Sequence, residues 1–310
     1  MLRTRIVFAP DEPPLSNFMN AVLIIDKPAG YTSHDVVARV RRILGQRSVG
    51  HMGTLDPMAT GVLPLVLGNM TRLAQFYLGS EKSYEGTIRF GFSTDTYDAE
   101  GEPTSNEREC PLSLEELRAQ ASKFVGCMEQ MPPPFSAKKI HGVPAYKLAR
   151  KKKEVPLKPV PVEIKELEIL EFADNCARFR ARVGSGTYLR SVAHDLGQAA
   201  GCGAHLQSLR RTAVAEFTLA EARTLEQIES AVKAPEEQDN LFVHPRKLLP
   251  NMPSVTASDE IAARIRHGQA INLPEFSSAR EVKVFQGQRN LIAIATRIAG
   301  TLFHPKIVLV

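Results

Sequence analysis

From Cys176 to Val183 the chain reads Cys176-Ala177-Arg178-Phe179-Arg180-Ala181-Arg182-Val183, with a guanidinium at every second position from 178 to 182. A period of two is the pleat of a β-strand, so Arg178, Arg180 and Arg182 share one face while Phe179, Ala181 and Val183 share the other. A chain with such a segment must build a sheet that buries the second face. Neighbouring segments agree. Ala21–Ile25 is a short apolar run with the signature of a buried strand, Gly61–Gly68 reads as another with a proline irregularity, and Tyr84–Phe90 and Val162–Phe172 read as two more.

Helices fall between these strands. Ser33 reads as an N-cap, followed by a stripe of Val36, Val37, Val40, Ile43 and Leu44, with Gly45 as the stop. Arg39, Arg41 and Arg42 lie off the stripe, as a solvated face or as contacts to RNA. Ser113-Leu114-Glu115-Glu116 is a capping box ahead of Leu114, Leu117, Ala121, Phe124 and Val125. A further helix is expected from about Ser191 to Ala200, stopped by Gly201. Prolines cluster over 235–253, marking a boundary. Beyond it a short helix capped by Ser258 or Asp259, a hairpin turning at Gly287 and a last strand over Lys306–Val310 make a module of about 60 residues. That size is near the lower limit for independent stability, so it is expected to dock on the rest.

The chain has 310 residues, 43% hydrophobic and 24% charged, an ordinary globular composition. That length suggests two domains, or a large one with a small one. A net charge of +5 favours an anionic partner. The four cysteines show no CxxC spacing, so reduced thiols are expected. Cys202 and His205 lack a second ligand pair, so no metal site is expected. There is no apolar run of about 20 residues and no secretory h-region, so no membrane association is expected.

The densest functional signal is the stretch from Val49 to Leu63, where Gly50, Gly53 and Gly61, Thr54, Thr60 and Pro57 surround Asp56 and His51. Glycines let backbone approach a ligand closely, and Pro57 pushes Asp56 out of helical geometry. The carboxylate either projects into a cleft or caps a turn, and local pattern alone favours the turn. Residues 131–160 form a long irregular stretch that opens with Pro132-Pro133-Pro134 and carries six basic residues between Lys147 and Lys158. Contact with RNA phosphates is weighed above a merely solvated face there.

Read in order, Asp26-Lys27-Pro28-Ala29-Gly30, the Gly50–Gly61 loop, Lys82-Ser83-Tyr84, Pro132 to Lys139, Gly186-Thr187-Tyr188-Leu189-Arg190 and Leu209-Arg210-Arg211 resemble the TruB-type tRNA pseudouridine synthases. The matches span about residues 21–215. Met52 stands where many relatives carry a smaller or polar residue. The resemblance implies an α+β fold: a mixed, mainly antiparallel catalytic sheet with an RNA-binding insertion, plus a small C-terminal PUA-like β-barrel. The implied domains are a flexible leader over 1–20, a catalytic domain over 21–245 containing the 131–160 insertion, and a PUA-like module over 246–310.

The resemblance also implies an activity, the isomerisation of uridine 55 to pseudouridine in the T-loop of tRNA. The reaction is redox-neutral overall, so no cofactor is expected. Asp56 stands at the essential aspartate. Arg190 matches the arginine that pairs with it, Tyr84 the tyrosine that stacks on the flipped base, and Tyr188 and Leu209 two further pocket residues. His51 matches a histidine that holds the everted nucleotide, and Lys27 and Pro28 are expected to support the loop. Arg178, Arg180, Arg182, Lys151, Lys152 and Lys153 are the candidates for phosphate contact. The implied state is a cytoplasmic monomer that acts on the T-stem-loop without an obligate protein partner. Two alternatives stay open: a guide-dependent rRNA pseudouridine synthase, and a tRNA-folding protein that no longer catalyses.

Overall fold

The computed structural model describes residues 19–135, 157–234 and 240–310, and the backbone of Lys139–Ile140 and Val143–Pro144. Most of the 1–20 leader, the Lys151, Lys152 and Lys153 run, and Pro235 lie outside the described residues. The chain runs β1 (Ala21–Lys27), α1 (Ser33–Ile43), β2 (Val49–His51), β3 (Thr60–Leu67), α2 (Ala74–Tyr77), β4 (Lys82–Phe90), α3 (Leu114–Ser122) and β5 (Gly126–Gln130). A hairpin of β6 (Lys139–Ile140) and β7 (Val143–Pro144) precedes β8 (Val160–Ala173), β9 (Cys176–Val183), α4 (Leu189–Ala199), β10 (Ala204–Val214), β11 (Phe217–Thr218) and α5 (Leu225–Val232). The C-terminal module holds β12 (Ser254–Thr256), α6 (Asp259–Arg266), β13 (Ile271–Asn272), β14 (Glu281–Gln286), β15 (Asn290–Ala299) and β16 (Leu302–Val308).

Among the described residues the main sheet has the order β1-β3-β10-β4-β9-β8-β5, with β2 added to β3 and β11 to β10. Its pairings are antiparallel except β3–β10, which run parallel through Thr60↔Arg210 and Gly61↔Arg211. The fold is therefore α+β with a mixed, mainly antiparallel sheet. The second sheet has the order β12-β14-β15-β16-β13.

Strands β1 and β3 are buried on both sides, which explains their nearly unbroken apolar runs. Leu23, Ile25, Leu63 and Leu65 face the main core with the stripe of α1. Val22, Ile24, Val62 and Val66 face a second core that also contains Phe285, Leu291, Ile294 and Ile307 of the C-terminal module. Burying a large apolar side chain contributes about 1.5–3 kcal/mol. The module thus draws its stability partly from the main sheet, in line with its small size. Polar contacts follow the same seam: Asn20 Nδ2 and Asn69 Nδ2 donate to Leu309 O, and Arg72 Nη1 donates to Val308 O.

Several expectations shift. The cap of α1 is Thr32, in a capping box with Asp35; Ser33 is the first helical residue, and its hydroxyl turns inward instead. The box at Ser113 is as read, but α3 stops at Ser122, so Val125 falls off the stripe and is exposed. Helix α4 begins at Leu189, which brings Arg190 into its buried first turn. Strand β16 starts four residues before Lys306. Met19 and Asn20, assigned to the leader, are tied down, with Met19 N donating to Gln46 Oε1 at 3.2 Å. Met52 is buried in the second core, so its bulk serves packing there.

Candidate active site

The segment between β2 and β3 carries Asp56, and buried side chains from four other elements pin it. Ser33 Oγ, at the start of α1, accepts from Leu55 N at 2.9 Å and donates to Leu55 O at 3.2 Å. Lys27, fully buried at the end of β1, donates to Pro28 O, Tyr31 O and Pro57 O at 2.8, 2.7 and 3.1 Å. Arg211 of β10, also fully buried, spends its guanidinium on Val62 O (2.8 Å), Thr54 O (3.1 Å) and Gly53 O (3.1 Å). Carbonyls turned away from water need donors, and these two cations make six bonds, three of them to the loop itself at Gly53, Thr54 and Pro57 and three to the β1 turn and β3 that flank it. Gly61 permits the close approach of β3 to β10: its φ is +98°, and a Cβ there would sit 2.2 Å from Arg211 O.

The fourth element is α4. Arg190 Nη2 donates to Asp56 Oδ1 at 3.2 Å, and Nε lies 2.9 Å from Asp56 Oδ2, a charge contact rather than an aligned hydrogen bond. The same guanidinium reaches Asp98 Oδ2 at 3.3 Å, Thr96 O at 3.1 Å and Phe135 O at 3.0 Å. The Arg190 side chain is 5% exposed and that of Asp56 35%. The carboxylate is thus held from behind while it opens onto a cleft of about 410 Å³.

His51, Lys82, Tyr84, Tyr188, Arg190 and Leu209 line that cleft together with Asp56. Tyr84 and Leu209 are nearly buried and form its apolar wall. The backbone of Tyr188, the N-cap of α4, is clamped by the buried Gln130 amide, which accepts from Tyr188 N at 2.8 Å and donates to Tyr188 O at 3.1 Å. His51 Nδ1 accepts from Gly53 N at 3.4 Å, and its ring meets His34 edge-on with centroids 5.7 Å apart. Burial pushes the His51 pKa down, with His34 and Arg211 adding to the effect. Burial brings Lys27 down to about 8 against the attraction of Asp56, and Lys82 to about 8 with help from Arg211. Lys82 and Arg190 line the cleft with Asp56, and Lys27 lies beneath the loop within reach of the Asp56 charge.

The structure therefore brings Asp56, His51, Tyr84, Tyr188, Arg190 and Leu209 together, with Lys27 and Pro28 beneath the loop. It separates Arg178, Arg180 and Arg182 from them. The register Tyr84↔Ala181 puts Tyr84 on the dry face of β9, so the three arginines stand on the other side of the sheet. They are not free cations either. Arg178 pairs with Glu171 (2.9 Å), Arg180 with Glu85 (3.5 Å), and Arg182 with Glu81 (3.4 Å) and Glu166 (3.7 Å). The three arginines share one face as read, and that face is a mixed-charge ladder, because β4 and β8 place Glu85, Glu166 and Glu171 opposite it.

Sequence reading missed Arg211, Ser33 and the pair Thr96 and Asp98. Asp98 lies in a polar stretch between Gly91 and Gly101. Its one sequence-level signal is an acidic, threonine-rich turn, Thr94-Asp95-Thr96, just ahead of it. Among the described residues no group of three or more His, Cys, Asp or Glu side chains gathers as metal ligands would. No helix among them is long and apolar enough to cross a membrane.

Comparison with known proteins supplies the context for this geometry. Residues 41–189 match the model of the TruB family pseudouridylate synthase N-terminal domain, and residues 190–252 that of the tRNA pseudouridylate synthase B C-terminal domain. The tRNA pseudouridine synthase B of Solibacter usitatus (strain Ellin6076) is 51% identical over 294 residues, covering 94% of this chain and all of that protein. The protein of the same name from Aquifex aeolicus (strain VF5) is 40% identical over 295 residues, again covering 94% and 100%. Among solved structures, an H/ACA RNP bound to a substrate RNA containing 2′-deoxyuridine shares the fold, with a TM-score of 0.69 at 24% identity over 94% of this chain and 85% of that one. The chain belongs to the TruB family of pseudouridylate synthases.

Proposed function

We propose that this chain isomerises uridine to pseudouridine in tRNA, at position 55 of the T-loop, with Asp56 as the carboxylate that acts on the nucleotide. Family membership supports the reaction class, and one observation carries the assignment of the residue. Asp56 is held by Arg190 at the floor of a cleft walled by Tyr84, Tyr188 and Leu209, with one side of its carboxylate open. The target uridine leaves the stack, at a cost of a few kcal/mol, and enters the cleft. Tyr84 takes the face of the base, and His51 lies at the rim to hold the everted strand. The N1–C1′ bond breaks, the uracil turns, and C5 joins C1′. N1 gains a proton and C5 loses one, so nothing is oxidised or hydrolysed. Asp56 acts on the ribose while the base is detached. Arg190 balances its charge and fixes its direction, and Lys27 with Pro28 keeps the loop in place.

The C-terminal module, with its five-stranded half-barrel and exposed basic side chains including Arg264, Arg266 and Arg289, is proposed as a PUA-like contact for tRNA away from the cleft. Phosphate contacts by Lys151, Lys152 and Lys153 belong to the same proposal. The likeness to an H/ACA particle keeps a guide-dependent client as the second reading. A bare T-stem-loop labelled with tritium at uracil C5 decides. Tritium release without guide RNA or accessory protein supports the stand-alone tRNA enzyme. Asp56→Asn is expected to bind the same RNA with wild-type affinity and release no tritium; near-normal release by that variant sinks the assignment of Asp56.

A further inference from the structure

Arg190 divides one guanidinium between two carboxylates, Asp56 at the cleft and Asp98 behind it. What holds Asp98 therefore governs how Arg190 presents itself to Asp56. Asp98 follows Tyr97, whose φ of +65° lies in the left-handed region that bulky side chains rarely adopt. Tyr97 sits between the two groups that Arg190 Nη1 contacts, the Thr96 carbonyl and the Asp98 carboxylate. Its ring lies flat on the His194 imidazole, with centroids 3.8 Å apart and 12° between planes. His194 is four residues after Arg190 on α4, hence on the same helix face. His194 Nδ1 is buried with no hydrogen-bond partner among the described residues, so the ring is seated there by stacking. On the other side the segment is zipped to β10, Tyr97 O accepting from Leu206 N and Ala99 N donating to Leu206 O, both at 3.0 Å.

We propose that Tyr97 is a positioning residue: by stacking on His194 it fixes the Thr96 carbonyl and the Asp98 carboxylate against Arg190, and through Arg190 it sets the pose of Asp56. The proposal rests on the reading of Asp56 given above. Tyr97 does not line the cleft, so it acts on the chemical step and leaves RNA binding alone.

The test is steady-state tritium release from C5-labelled tRNA by the full-length protein. Tyr97→Asn removes the ring but tolerates the left-handed backbone, and His194→Ala removes the stack from the helix side without touching the loop. Each is expected to lower kcat by about tenfold or more, the scale of a small misplacement of a reacting group, with KM within about twofold of wild type. The double variant is expected to fall no further than either single one. Tyr97→Phe keeps the stack and is expected to retain wild-type kcat. Wild-type kcat in both Tyr97→Asn and His194→Ala, a loss carried wholly by KM, or Tyr97→Phe as impaired as Tyr97→Asn overturns the proposal. A wild-type protein that releases no tritium overturns the underlying reading, and this inference with it.

Discussion

Two sets of arginines show how little residue type says about role. Arg190 and Arg211 lie beneath the Asp56 loop, almost or fully buried, each holding several partners at once. Arg178, Arg180 and Arg182 stand on the outer face of β9, about half exposed, and each answers to glutamates across the strands. In the first set the guanidinium itself is shut off from water, so each bond it loses is hard to replace. In the second, water competes for every contact and salt screens it. The buried pair fixes geometry, while the exposed ladder balances charge.

The strongest test of that contrast is Arg190→Met. It strands the buried carboxylate of Asp98, and breaking a buried pair costs about 3–5 kcal/mol. Chemical denaturation should show that loss together with loss of turnover. Arg211→Met comes next. It leaves the carbonyls of Gly53, Thr54 and Val62 without donors, and relaxation keeps the total near roughly 3 kcal/mol. Turnover should fall more than RNA affinity, because the Asp56 loop loosens while the sheet persists. If either variant unfolds like wild type, the buried cations are not what holds the loop.

Lys27 offers a test by pH. In the folded chain its ammonium loses a proton near pH 8, and in the unfolded chain near 10.5. Between those values the unfolded chain binds more protons, so the contribution of Lys27 to stability rises with pH. The stability of wild type relative to Lys27→Met should therefore increase from pH 8 to 10.5, by no more than about 1.4 kcal/mol per pH unit. A difference that stays flat or shrinks over that window means Lys27 is not buried as a charged donor. The smallest effect belongs to Arg180→Ala, expected within about 0.5 kcal/mol of wild type in stability. It also sharpens the functional contrast. If the ladder meets RNA phosphates, the salt slope of tRNA binding drops by about one; an unchanged slope makes the ladder structural.

Legibility in the sequence follows the range of the forces involved. Strand β9 is as read, residue for residue, because a period of two is written in neighbours. The Ser113 box and the Ser258 cap are as local and as readable. The Asp56 loop was legible only through the whole ordered set of strings, since its own residues read equally as a turn. Of its supports, Lys27 and Arg190 were legible through those same strings, but Arg211 and Ser33 were not. Arg211 reaches carbonyls about 150 positions earlier in the chain, and a guanidinium that binds backbone leaves no complementary acid to notice. Ser33 shows a subtler limit. The right residue type sits one position from the cap because its hydroxyl is needed at Leu55, and Thr32 takes the cap instead. Val125 was misplaced because a stripe does not announce where its helix stops.

The second core has a consequence for how the molecule comes apart. Val22 and Ile24 of β1 and Val62 and Val66 of β3 pack against Phe285, Leu291, Ile294 and Ile307 of the C-terminal sheet, while their alternate neighbours build the main core. The same two strands are therefore the floor of one half and the ceiling of the other. Clipping away the last 60 residues would leave an oily wall facing water, and heat should melt both halves in one cooperative step.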